Sequence, residues 1–129
     1  MPEITAAEFA DGQFDFLIVG GGTAGLVVAA RLSEAGFNVG VLEAGPAVFD
    51  NELISIPGHY GQSLGGHLDW GFTTVPQSGL GGRSLAWPRG KVLGGTSALN
   101  FMAWNRASRE DYDAWRDLGN HGWGWEDLL

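Results

Sequence analysis

An apolar run that ends in clustered glycines and continues as a helical pattern can fold in few ways, and this chain carries one near its start. Phe14-Asp15-Phe16-Leu17-Ile18-Val19 is followed by Gly20-Gly21-Gly22-Thr23-Ala24-Gly25 and then by the periodic segment Leu26 to Leu32. Strand, glycine turn and helix in that order predict a βαβ unit. In it Gly20 makes the tight turn, Gly22 lets main chain approach a pyrophosphate that a Cβ would repel, and Gly25 lets helix and strand pack closely. The phosphates would meet the amides of the first helical turn, around Thr23 and Ala24. There the dipole favours an anion by about 0.3 to 1 kcal/mol per charge. Three glycines by themselves serve any tight strand-to-helix turn, so the surrounding sequence has to decide. The helix is expected to stop at Gly36, and a second apolar run, Val39-Gly40-Val41-Leu42, ends in Glu43-Ala44. A carboxylate there, eighteen residues past Gly25, is placed to accept both ribose hydroxyls of a dinucleotide. No Lys or Arg follows before Arg83, which disfavours a ribose 2′-phosphate.

A second glycine-rich stretch lies about seventy residues on: Trp87-Pro88-Arg89-Gly90-Lys91-Val92-Leu93-Gly94-Gly95-Thr96-Ser97-Ala98-Leu99-Asn100, continuing through Phe101-Met102-Ala103-Trp104-Asn105-Arg106-Ala107 to Asp113. A nicotinamide domain has no obvious use for it. With its ordered glycines, basic residue, paired small hydroxyl residues, Asn and aromatic, this stretch resembles the glucose-methanol-choline (GMC) oxidoreductases, which bind FAD. The resemblance covers nearly the whole chain, including Leu68-Asp69-Trp70-Gly71-Phe72-Thr73-Thr74-Val75-Pro76-Gln77. It implies that the two glycine loops clamp different parts of one extended flavin dinucleotide.

In that reading Gly94 and Gly95 bring main-chain amides to the pyrophosphate or the ring edge, Thr96 and Ser97 donate from hydroxyls, and Asn100 offers donor and acceptor together. Gly90, Val92, Met102 and Ala103 complete the expected contact set. Arg89 would offset phosphate charge, whereas Lys91 reads better as a solvated loop cation. Phe101 either faces the ring or packs, with packing favoured. Several relatives carry a His just before the Asn that bonds covalently to the flavin. Leu99 stands there instead, so the resemblance implies non-covalent FAD.

The expected fold class is α/β: a Rossmann-like FAD-binding βαβ unit with irregular loops and C-terminal helices, forming an incomplete domain. With 129 residues and 44% hydrophobic content, the chain is long enough to bury about 60% of its unfolded surface. Only Phe14 to Val19 and Val39 to Leu42 read as central parallel strands, with Phe72 to Val75 and Ser84 to Trp87 as peripheral candidates. Two strands and one crossover helix leave apolar faces without partners. Because family members are several times longer, residues 1–129 are expected to be the N-terminal part of a GMC-type FAD-binding domain, lacking the substrate domain and the C-terminal catalytic segment. The missing C-terminal part is then the expected partner. Near the end, Ser108-Arg109-Glu110-Asp111 reads as a capped helix start, with Tyr112, Trp115 and Leu118 forming a core-facing stripe before a stop at Gly119. Gly124-Trp125-Glu126-Asp127 opens another helix, which the chain end at Leu129 cuts after one turn.

Fifteen acids against seven bases, a net charge of −8, leave no basic stripe for nucleic acid. With no cysteine, disulfides, thiolate catalysis and Cys-based metal sites drop out. Met1-Pro2-Glu3-Ile4-Thr5 lacks the pattern of a secretory leader, and no apolar run is long enough for a membrane span. A cytoplasmic location is expected, with a secreted form still open. His59, His67 and His121 show no metal-ligand spacing and belong to no nucleophile or base motif. The family's catalytic base is a His near its far C-terminus, so no catalytic residue is assigned here. The resemblance implies oxidation of a small-molecule alcohol at its CH-OH group in the full-length form, with hydride passing to the flavin. The alternatives are a non-redox lyase or cyclase on the same fold, or a truncated inactive binding fragment.

Overall fold

The computed structural model describes residues 3–128; Met1, Pro2 and Leu129, on which the leader and chain-end readings partly rest, lie outside the described residues. The order of the main elements is α1 (Ala6–Asp11), β1 (Phe16–Val19), α2 (Thr23–Glu34), β2 (Val39–Leu42), α3 (Glu52–Ser55), β3 (Phe72–Thr73), β4 (Ala86–Trp87), α4 (Arg109–Asp117) and α5 (Trp125–Leu128).

β1 and β2 pair in parallel, Phe16 opposite Val39 and Val19 opposite Leu42, with α2 as the crossover. This is the expected βαβ unit, although the helix starts at Thr23, one turn earlier than its apolar periodicity suggests. Its inward row places Ala29 in the core, with Leu26 and Leu32 half-buried. α2 ends as expected: the Gly36 amide donates to Ser33 and the Phe37 amide to Leu32, with Gly36 left-handed. α1, which has no counterpart among the sequence expectations, is built on a capping box between Thr5 and Glu8. Phe9 on α1 stacks on Phe14 and lies so close to Gly40 that a Cβ there would sit 2.8 Å from its ring.

The two peripheral strands belong to one long antiparallel hairpin. Asp69 faces Gly90, Phe72 faces Trp87 and Thr73 faces Ala86, all in one register, and the bridge between Gln77 and Arg83 nearer the tip is shifted by one residue. The core lies at the base of this hairpin. Leu68, Val92 and Leu99 are each at most 4% exposed, with Val48, Ile54 and Ala98 packed around them. Burying each of the three large side chains contributes about 1.5 to 3 kcal/mol.

α4 starts on a Ser108–Asp111 capping box and stops at a left-handed Gly119, as expected. Its aromatic stripe is not core, however. Trp115 is 44% and Leu118 81% exposed, and the aromatic contacts run only among Tyr112, Trp115, Trp123 and Trp125. The helical pattern marks which face is apolar; among the described residues only Trp123 and Trp125, from the turn after α4 and the start of α5, lean on that face, and Trp115 and Leu118 stay largely exposed. α5 docks on α4 through Asp113, which accepts from both the Arg116 guanidinium and the Trp125 amide. Among the described residues no helix is long and apolar enough to cross a membrane.

Candidate functional site

The first glycine loop turns as its sequence predicts. Gly20 holds φ +99°, and a Cβ on Gly25 would lie 2.1 Å from the Gly20 carbonyl oxygen and 3.1 Å from Ile18, so this glycine brings helix and strand together. Glu43 reaches back over the turn from the end of β2. One carboxylate oxygen accepts from the Gly21 amide at 2.7 Å and the other from Gly45 at 2.9 Å. The carboxylate is thereby fixed in place, while each oxygen keeps a lone pair for a further donor.

The second loop lies directly on the first. The Gly94 amide donates to the Gly21 carbonyl at 2.7 Å, and Gly22 and Gly94 form a parallel bridge. A Cβ on Gly95 would sit 2.8 Å from the Gly22 Cα. Gly90 in turn backs onto the Gly95–Thr96 peptide, and its amide donates to the Thr96 hydroxyl at 3.2 Å. The loops therefore form one cradle, where the sequence reading expected clamps on different parts of a dinucleotide. The contact is invisible along the chain because both partners are glycines with no side chain to signal it.

An open groove of about 640 Å³ runs along this seam. Gly20, Gly22, Thr23, Ala24 and Gly25 line one wall, Glu43 and Ala44 one end, and Arg89, Gly90, Gly95 and Thr96 the other wall, with Trp70 beside them. The start of α2 opens into it. α1, α3 and α4 each have a side-chain cap, from Thr5, Asn51 and Ser108, whereas α2 begins on Gly22 with no side-chain cap and no acid in its first turn. Its first amides thus face the groove with the helix dipole behind them, a donor set suited to an anionic ligand. Arg89 adds positive charge to the opposite wall; its guanidinium rests 4.8 Å from the centre of the Trp87 ring.

Other expected contact residues fall elsewhere. Val92 is 1% exposed, so its side chain is enclosed in the core and does not line the groove. The Ser97 hydroxyl donates to the Gly94 carbonyl at 2.6 Å, so its proton holds the loop together. The Thr96 hydroxyl accepts from Gly90 and keeps its proton for a ligand. Asn100 and Phe101 line an adjoining apolar hollow of about 190 Å³ that shares Arg89, Gly90 and Thr96 with the groove. Phe101 is 57% exposed and meets Tyr60 edge-on, so it packs only in part. Asn100 accepts from the Met102 amide, which holds Met102 at φ +55°. Ala103 is exposed beyond these hollows. Leu99 is a core residue. His59, His67 and His121 do not line the groove. Trp70 and Asp69 carry no motif of their own; the available signal is their position inside the Leu68-Asp69-Trp70-Gly71-Phe72 segment that the family resemblance takes in.

Residues 14–129 match the sequence profile of the family described as GMC oxidoreductase. The chain is 48% identical over 132 residues to a dehydrogenase of Monascus purpureus named mpl7, an alignment that takes in 100% of this chain and 21% of that protein. Pyridoxine 4-oxidase from Mesorbium loti matches in structure with a TM-score of 0.78 at 39% identity, over 91% of this chain and 23% of that one. An FAD-dependent oxidoreductase from Chaetomium thermophilum matches with a TM-score of 0.76 at 38% identity, over 91% and 20%. The chain spans about a fifth of the length of the curated relatives it matches.

Proposed function

The chain belongs to the GMC oxidoreductase family, and on that premise we propose that its groove is the FAD-binding part of an enzyme that oxidises an alcohol at its CH-OH group. The observation that carries the reading is the uncapped start of α2, which opens onto a seam where two glycine loops meet. The pyrophosphate would be held by the amides of Gly22, Thr23, Ala24 and Gly25, with Arg89 offsetting charge; Gly94 and Gly95, whose own amides donate to the Gly21 and Val92 carbonyls rather than to a ligand as expected, back the first loop instead. Glu43, already oriented by Gly21 and Gly45, would accept from the ribose hydroxyls. Asn100 and Phe101, in the adjoining hollow, suit the flat flavin ring, and the free Thr96 proton suits one of its polar atoms or a phosphate oxygen. Leu99 has no nucleophilic atom and lies in the core, which favours non-covalent attachment.

Bound FAD supplies the hydride-accepting chemistry. The groove residues bind and orient; none is a histidine placed to take the hydroxyl proton of an alcohol. We place that base in the remainder of a longer protein, which would also supply the substrate pocket and would be the natural partner of these residues. Titrating flavin into the purified chain tests the binding reading. FAD should bind, whereas riboflavin, lacking the pyrophosphate, should bind far more weakly; equal affinity would overturn it. Acid precipitation of the loaded protein should release all flavin into the supernatant. In the full-length form, anaerobic addition of an alcohol should bleach the flavin, and no bleaching by any alcohol would overturn the redox reading.

A further inference from the structure

The hairpin that carries the second glycine loop has a break in its ladder. Pro88 has no N–H to donate and Gly71 opposite it is left-handed at φ +64°, so regular pairing stops between Asp69–Gly90 and Phe72–Trp87. The Asp69 side chain spans that break. One of its oxygens accepts from the Gly71 amide and the Arg89 amide, both at 3.0 Å, and the other accepts from Gly65 at 2.8 Å. Trp70 donates to the Arg89 carbonyl and Lys91 to the Leu68 carbonyl, which pins the same two strands on either side. Beyond Arg89 the connections run without interruption to the groove: Gly90 rests on the Gly95–Thr96 peptide, and Gly95 rests on Gly22.

We propose that Asp69 is a positioning residue for the cofactor: by holding the main chain of Arg89 at the ladder break, it sets the height of the second glycine loop over the start of α2. The proposal rests on the reading of the groove as an FAD site. Asp69 does not line the groove and acts through Arg89 and Gly90. Three main-chain donors on one carboxylate also hold its pKa below the ordinary value, with Gly65 contributing most, then Gly71 and Arg89. A group in that state is charged at neutral pH and keeps all three bonds.

Asp69→Asn tests this, because an amide side chain has one oxygen and must turn an NH₂ toward at least one of the three donors. In the full chain the variant should raise the Kd for FAD by about tenfold. Hydrogen exchange of the protein without flavin should speed up across residues 86–96, while α2 and β2 keep their protection. Thr74→Val serves as the comparison. It removes the hydroxyl that accepts from Leu85 at 3.0 Å in the same hairpin, loosening the hairpin without touching Arg89, and should leave FAD affinity within about twofold. Asp69→Glu keeps the charge on a longer stem and is expected to fold even where Asp69→Asn does not; it should show the same loss of affinity in milder form. Wild-type FAD affinity in both Asp69 variants, or equal losses in Asp69→Asn and Thr74→Val, would overturn the positioning role. Failure of the wild-type chain to bind FAD would instead overturn the underlying site reading, and exchange in residues 86–96 would still report whether Asp69 holds the loop.

Discussion

The βαβ unit and the irregular stretch that follows divide order and burial in opposite ways. β1, α2 and β2 have regular hydrogen bonding, yet Leu17 is 55% and Val19 84% exposed, and Val27 and Val28 on the helix are about half exposed. Residues 44–100 have little regular structure and contain Leu68, Val92 and Leu99, the most enclosed large side chains among the described residues. Local backbone pairing and tertiary burial are separate sources of stability. Here the loops supply the burial that holds one wall of the groove, and the regular unit supplies the helix start that forms the other wall and the carboxylate that closes one end. Neither wall encloses the groove without the other.

If that division is right, truncation should hurt the irregular part more. Leu68→Ala should cost about 2 to 5 kcal/mol of stability, whereas Leu17→Ala in the middle of a strand should cost about 1 kcal/mol or less; urea unfolding of both measures the gap, and equal losses would break the comparison. The glycines sharpen it further. Gly25→Ala drives a Cβ to 2.1 Å from the Gly20 carbonyl oxygen and should cost about 3 kcal/mol of stability. At Gly22 the nearest obstacle to a Cβ is the Gly95 Cα at 3.8 Å, so Gly22→Ala should leave the melting temperature nearly unchanged while weakening FAD, and the bulkier Gly22→Val should abolish flavin absorbance in the purified protein. Glu43→Ala should weaken FAD by about 1 to 3 kcal/mol, read as a rise in Kd of about fivefold to 150-fold by flavin titration.

The smallest effect expected is an acid one. The pKa of Asp69 is lower folded than unfolded, so its contribution is present above the unfolded value of about 3.9 and is lost as pH falls through the lower folded value. Protection of residues 86–96 should therefore hold from neutral pH down to the ordinary carboxylate range and weaken only below it, and Asp69→Asn should lack that acid limb. Hydrogen exchange across the range measures both.

What the sequence made legible follows from where the information sits. β1, α2, β2, the Gly36 and Gly119 stops and the Ser108 cap are each encoded within a few neighbouring residues, and the structure places them within a turn of expectation. Phe72 to Val75 and Ser84 to Trp87 were visible as strands, yet their joining with Asp69 and Gly90 into one hairpin depends on pairing across the chain. The Thr5–Glu8 box is equally local, a hydroxyl residue followed three positions later by an acid, although the leader pattern considered for the first residues takes in Thr5 alone of the pair. Tyr112, Trp115 and Leu118 show the limit of periodicity: it identifies an apolar face and says nothing about whether anything covers it. Asp69 was hidden for a different reason. Its partners are amides of residues 65, 71 and 89, and main-chain donors have no residue type to recognise.

The central claim, that the two glycine loops form a single cradle for FAD, is tested most directly by titrating FAD into the isotopically labelled chain and following amide resonances. Gly22, Thr23, Ala24 and Gly25 on the first loop and Gly94, Gly95 and Thr96 on the second should shift together, with one common midpoint. Shifts confined to one loop, or two loops responding at separate midpoints, would contradict it.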